Sequence, residues 1–361
     1  MNRKGYIKQV FPGGNTAKGF FSYYDNIIGA EANRIFVIKG GPGVGKSYFM
    51  KKIGYKMAEL GYDVEFHQCS SDNNSLDGVV IPKLKIAMMD GTSPHIVDPK
   101  YPGAVDEILN FGAFWDRDAM EKNKDEIITS TTKIGKLFKR AYRFFAAAKS
   151  LRDDMEVVYE EALDKQKFNT MVEGLKREIF NNHNEIKKEG KVRHLFGSAL
   201  TPNGLTDYYE SIIGSSSEVY YVDGTYVTGI SNLMNGIVSE SVKKGFDVEV
   251  YYEPLDEKNI ETIVIPSLNI TFTTSKKYED KNYKKVDFNG LMDGDLLKEY
   301  KEALLEDEKL VNLLIESGVK NISRAKKEHD ILESFYIPNI NFDKADHLRE
   351  EIIKIIVSYD Q

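Results

Sequence analysis

The chain has 361 residues, a formal net charge of −7 and a single cysteine, Cys69. The length suggests two or three domains; the acidic balance argues against a dedicated nucleic-acid binder, and one cysteine excludes an intrachain disulfide framework. The opening residues lack an apolar export segment and no apolar run approaches a bilayer span, so the expectation is a cytoplasmic protein without a membrane span.

A glycine-rich lead-in at 11–19 runs into a predicted helix over 19–28, and a short apolar strand, "RIFVIKG", follows at 34–40. The loop "GGPGVGKS", Gly40 to Ser47, opens a helix that runs to about Leu60. "GYDVEFHQC" reads as the next strand, "SSDNNSLDG" as a polar loop, and "VVIPKLKIAMMD" as strand-like sequence ending at Asp90. Strands alternating with helices predict an α/β fold with a parallel sheet and helical crossovers. Charged helical sequence follows from about 115 to 190. The order then recurs as "EVYYVDG", a helix over about 230–244, "GFDVEVYY", "IVIPSLNITFT" and acidic helical sequence from about 294 to 335.

The recurrence extends to residue identity. "FPGGNTAKGFFSYYDNIIG" (11–29) lies over "FGSALTPNGLTDYYESIIG" (196–214) with eight identities in nineteen positions. "GYDVE" (61–65) lies over "GFDVE" (245–249), and "VVIPKL" (79–84) over "IVIPSL" (263–268). A weaker echo sets "KFNTMVEGLKREIF" (167–180) against "INFDKADHLREEII" (340–353), with Leu175 on Leu348 and Ile179 on Ile352. The chain is therefore read as an internal duplication: a P-loop lobe at 1–112 with a helical appendage at 113–190, and a second lobe at 191–293 with its own at 294–361. Duplication makes pairing of the lobes about a pseudo-two-fold axis the default.

"GGPGVGKS" satisfies the Walker pattern GxxxxGK[ST] between a strand and a helix, the context that motif requires. Glycines at 40, 41, 43 and 45 let backbone N–H groups turn inward as an anion cradle, and the helix start adds its positive dipole end. The expected nucleotide contacts are Gly40, Gly41, Pro42, Gly43, Val44, Gly45, Lys46, Ser47 and Tyr48. Lys46 would reach the β- and γ-phosphates, and Ser47 with Asp90 would hold Mg²⁺. The second copy reads "GTYVTGIS" at 224–231: at an offset of 184 residues Lys46 becomes Ile230 and Asp90 becomes Thr274. The copy that lacks the lysine also lacks the acid, so the second lobe reads as a degenerate nucleotide fold.

Around this site Asp72 and Asp77 could orient water or accept a proton, or else belong to an Asx-rich turn. Thr92 and His95 in "DGTSPH" could face a γ-phosphate. Asn15, Thr16 or Lys18 could touch the base, or form a lead-in turn common to both lobes. Cys69 reads as a small buried residue. The basic face of 133–149 is either solvated, a lid bringing Arg140 or Arg143 to the phosphates, or a surface for nucleic acid or anionic lipid. Arg193, beside His194, is the other candidate for a stimulating arginine.

The motifs "GNTAKGF" (14–20), "GGPGVGKS", "CSSDNNSLDG" (69–78) and "DGTSPHIVDPKYPGAVDEI" (90–108) resemble an uncharacterised bacterial family of tandem P-loop, ATPase-like proteins. The resemblance implies a P-loop NTPase fold and ATP binding. "DGTSPH" also looks like the DTxPxGH switch of arsenite-pump-type ATPases, but Gly41 stands where those carry a signature lysine. No [NT]KxD guanine signature follows the loop, which favours adenine. The expected function is Mg²⁺-dependent ATP hydrolysis at one active site beside one degenerate one; a small-molecule kinase and a non-catalytic ATP sensor are the alternatives.

Overall fold

A computed structural model describes residues 3–93, 96–181, 183, 186, 188–214, 216–224 and 228–360. The first lobe contains β1 (Ile7–Val10), a hairpin of β2 (Gly13–Thr16) and β3 (Gly19–Ser22), β4 (Arg34–Lys39), α1 (Lys46–Glu59), β5 (Val64–Gln68), β6 (Leu76–Ile81), β7 (Ile86–Asp90) and β8 (Asp106–Asn110). The helices α2 (Arg117–Lys122), α3 (Lys124–Ala162) and α4 (Lys165–Phe180) follow. The second lobe runs through β9 (Val192–Phe196), β10 (Ser198–Thr201), β11 (Gly204–Asp207), α5 (Tyr209–Ile213), β12 (Glu218–Asp223), α6 (Thr228–Lys243), β13 (Val248–Tyr252), β14 (Ile260–Ile265), β15 (Ile270–Thr273) and β16 (Lys284–Asp287). It ends in α7 (Gly294–Glu299), α8 (Lys301–Tyr336) and α9 (Phe342–Ser358). Among the described residues no helix is long and apolar enough to cross a membrane.

The sheets are mixed, not parallel as the strand–helix alternation predicts. Their orders are β1-β5-β6-β7-β4-β8 and β9-β13-β14-β15-β12-β16, with β6 and β14 antiparallel to both neighbours. The reason is local. "VVIPKLKIAMMD" is two strands joined by a tight turn at Pro82–Leu84, closed by Lys85 in the left-handed region at φ 53°. A turn that short cannot carry a crossover, so the strands must run antiparallel. The second lobe repeats it at Pro266–Leu268 with Asn269 at φ 60°. The segment 19–28, expected as a helix, is instead β3 and one 3-10 turn at Tyr24–Asn26.

The two lobes match strand for strand, and even the register irregularities after His67 and Tyr251 coincide. They meet where Phe11 and Phe196 exchange both backbone hydrogen bonds, at 2.9 and 3.0 Å. Phe196 is the duplicate of Phe11, so this reciprocal pair marks the pseudo-two-fold axis.

The helices cross over. α3 and α8 run antiparallel, as Lys133 pairs with Glu328 near one end while Tyr159 and Leu304 share an apolar cluster near the other. Beyond them, Val172, Ile179 and Phe180 of α4 join the core of the second lobe with Leu233 and Ile237 of α6. Ala345, Ile352 and Ile356 of α9 join the core of the first lobe with Phe49, Ile53 and Met57 of α1. Each lobe is thus completed by helices that follow the other. The elbows are symmetric: the Asp116 N–H donates to the Asn339 carbonyl and the Asp293 N–H to the Ala162 carbonyl, both at 2.8 Å.

The helix caps also correct the sequence register of α4 against α9. Asp164 and Asn341 are the N-caps, which shifts the structural match by four residues from the pairing of Leu175 with Leu348. A slip of one turn preserves the apolar face, so sequence alone does not distinguish the two registers.

Candidate functional site

The glycine loop lies between β4 and α1, and its shape needs glycine at two places. Gly43 at φ 69° and Gly45 at φ 87° adopt left-handed backbone that turns the chain into the helix. Gly45 is the N-cap of α1 and supplies no capping side chain, so the first-turn N–H groups of that helix face the loop. Val44 is buried and pins the loop to the core, whereas Tyr48 is exposed with the Lys52 ammonium 5.2 Å from its ring centre.

Parallel pairing of β4 with β7 sets Ile38 against Asp90, which brings the acid to the mouth of the loop. Lys46 Nζ donates to the Gly40 and Gly41 carbonyls, each at 2.8 Å, and lies 3.5 Å from Asp90 Oδ2. The Thr92 N–H donates to Asp90 Oδ1 at 2.8 Å, and the Thr92 hydroxyl donates to the Gly40 carbonyl at 2.9 Å. Ser47 Oγ accepts from the Leu76 N–H at 2.9 Å. Lys46, Ser47, Asp90 and Thr92 therefore converge with the loop. His95 lies outside the described residues.

One loop donor holds an anion. The Gly43 N–H donates to Glu333 Oε1 at 3.1 Å, so a carboxylate from α8 stands where an anionic oxygen of a ligand would be received. One backbone donor of the loop is thus placed to take an anionic oxygen.

Asp72 and Asp77 occupy other places. Asp72 accepts from the Asn74 N–H at 2.9 Å and from the Ser75 hydroxyl at 3.0 Å, and lies 3.4 Å from Lys326. Its duplicate Asp256 repeats the arrangement, accepting from the Lys258 N–H and lying 3.0 Å from Lys149. Asp77 is buried beside Cys69 and Tyr24, and burial together with that carboxylate pushes both the thiol and the phenol well up. Its duplicate Glu261 accepts from the Tyr209 hydroxyl at 2.6 Å and the Ser198 hydroxyl at 2.7 Å, and burial raises its carboxyl to about 7. Both acids persist in the lobe that lacks the lysine, unlike Asp90.

In the second lobe Ile230 is buried in the apolar core, and the Thr274 N–H donates to the Glu261 carbonyl at 2.9 Å. Residues 225–227 of the duplicate segment "GTYVTGIS" lie outside the described residues.

Of the remaining sequence candidates, Arg193, Asn15 and Lys18 reach across the lobe contact. Arg193 donates to the Asn26 and Ile27 carbonyls, each at 2.9 Å, and to Glu65. His194 Nδ1 is 2.8 Å from the Tyr252 hydroxyl. Asn15 is buried, donating to the Ser70 and Leu200 carbonyls; Lys18 pairs with Glu257; and Thr16 closes the hairpin turn as Thr201 does in the second lobe. Arg140 and Arg143 are exposed on α3. Sequence reading missed Glu333, Tyr336, Ile337 and Phe342, which meet the loop from nearly 300 positions away. Only the crossing of the helices brings them there.

No protein-family model, curated protein or solved structure matches the chain.

Proposed function

We propose that the loop Gly40–Ser47 binds ATP with Mg²⁺ and that the protein hydrolyses it at this one site. The observation that carries the reading is the convergence of Lys46, Ser47 and Asp90 on a glycine loop whose Gly43 N–H already receives an anion. The second lobe, with Ile230 in its core, serves as a scaffold.

The loop N–H groups and the Lys46 ammonium would hold the β- and γ-phosphate oxygens. Lys46 is kept ready on two carbonyls that it can exchange for phosphate without leaving the loop. Ser47 and Asp90 would take the Mg²⁺, which when bound neutralises charge developing between the phosphates. Thr92, tied to both Asp90 and Gly40, couples that acid to the loop. Arg193 is held by Glu65, and the positive charge seated on the loop is Lys46. An arginine supplied to such a site is worth about 10³–10⁵ in rate, and unassisted turnover should be correspondingly slow.

Phosphate release from Mg·ATP by the full chain tests this. Slow release without an acceptor, lost in Lys46→Ala and strongly reduced in Asp90→Asn, supports hydrolysis. Release that needs an added small-molecule acceptor would replace it with a kinase, and binding without release with a sensor.

A further inference from the structure

The elbow that ends α8 packs on the glycine loop itself. A Cβ added at Gly41 would lie 2.7 Å from Tyr336 Cε1, and one at Gly43 would lie 3.0 Å from Ile337 Cγ1 and 3.3 Å from the Glu333 carbonyl oxygen. One at Gly45 would come 3.4 Å from Phe342 Cε1. Between these contacts the Glu333 carboxylate takes the Gly43 N–H. The helix is fastened in this pose, since Lys326, about two turns before Glu333, pairs with Asp330 of its own helix and with Asp72 of the first lobe. Past the elbow, Trp115 and Ile340 form a backbone bridge, and α9 runs into the first-lobe core.

We propose that this elbow is an autoinhibitory plug, with Glu333 occupying the place of a phosphate oxygen until a nucleoside triphosphate displaces it. The proposal rests on the nucleotide reading above. One N–H donates one strong hydrogen bond, so the Gly43 amide cannot serve the carboxylate and a phosphate together. Like charges in a partly dry site repel, so a triphosphate on the loop drives Glu333 away rather than sharing the cradle with it. The α8 backbone lies against Gly43, and its turn leads without a linker into α9. Displacing Glu333 therefore disturbs Tyr336, Ile337 and Phe342 as well, and nucleotide occupancy is passed to the helices that clasp the lobe. A ligand that binds only the unplugged form pays for the fraction of molecules that is plugged, and removing the plug restores that affinity.

Two measurements on the full chain test the plug. Titration calorimetry with Mg·ATP compares the natural protein with Glu333→Gln, Glu333→Ala and Lys46→Ala. Hydrogen–deuterium exchange of the natural protein is followed with and without Mg·ATP. The expected results are affinity at least about tenfold tighter in Glu333→Ala, an intermediate gain in the near-isosteric Glu333→Gln, and no binding in Lys46→Ala. Nucleotide should slow exchange at 40–47 and speed it at 329–342. If ATP binds and protects 40–47 while 329–342 stays unchanged and neither Glu333 variant binds tighter, the plug is overturned and the nucleotide site stands. If neither the natural chain nor any Glu333 variant binds ATP, both readings fall together.

Discussion

Arg193 Nη2 lies 2.7 Å from Glu65 Oε2, joining β9 of the second lobe to β5 of the first. The pseudo-symmetric pair, Lys8 with Glu249, spans the same boundary at 2.5 Å in the opposite direction. Burial alone would raise the Glu65 carboxyl, but Arg193 and Lys8 hold it well below the usual carboxylate range.

Removing Arg193 should therefore weaken the lobe contact and not the nucleotide site. Arg193→Ala leaves Glu65 buried without its main partner, a loss of roughly 3 kcal/mol. Urea denaturation should show this loss, and Glu65→Gln in the same chain should recover part of it. The pH dependence follows from the depressed carboxyl. Its stabilising effect is complete above the unfolded value near about 4.3 and is lost as pH falls through the lower folded value. Arg193→Ala should accordingly lose less stability than the natural chain on acidification below pH of about 4.

His67 makes a second, separate pH test. It is buried 3.6 Å from Glu65, and burial pushes its imidazole below the ordinary value. The folded chain then prefers neutral His67, while the unfolded chain takes a proton near about 6.5. Stability from this site is complete above that value and declines as pH falls toward the folded one. Denaturation midpoints measured from pH 7.5 to 5.5 should fall less steeply in His67→Gln than in the natural protein.

The crossing helices predict a remote effect. Ile356 lies in the last turn of α9 yet sits in the first-lobe core beside α1. Ile356→Ala should cost about 2–4 kcal/mol, with faster amide exchange in α1 and β4 and little change in α6. If the exchange increase fell in the second lobe, the crossed packing would be wrong.

Gly43 needs both its conformation and its space. Gly43→Ala places a methyl group at φ 69° and 3.0 Å from Ile337. It should lower stability by about 1–2 kcal/mol and, because strain at positive φ re-aims the Gly43 N–H, weaken Mg·ATP binding, both read by thermal unfolding with and without nucleotide.

Much of this architecture is legible in the sequence. The repeated blocks give the duplication, and the glycine spacing with Lys46, Ser47 and Asp90 gives the loop and its neighbours. Sheet direction is only partly legible: Pro82, with Lys83 and Lys85, interrupts the apolar run of 79–90 and signals a break, but a chain reversal tight enough to make the strands antiparallel turns on Lys85 adopting left-handed backbone. Helix partners are not legible either, since an apolar stripe such as that of α9 states that it is buried and not against which lobe. Asp77 illustrates the limit on the site. An acid in a polar loop reads as a candidate base, yet its place beside Tyr24 is the place of Glu261 beside Tyr209 in the other lobe.

The central claim is that nucleotide binds at one loop and not its duplicate. Calorimetric titration of the full chain with ATP in the presence of Mg²⁺ tests it most directly. The account predicts one Mg²⁺-dependent site per chain, lost in Lys46→Ala and untouched by Ile230→Val. Two Mg²⁺-dependent sites, or one that survives Lys46→Ala, would contradict it.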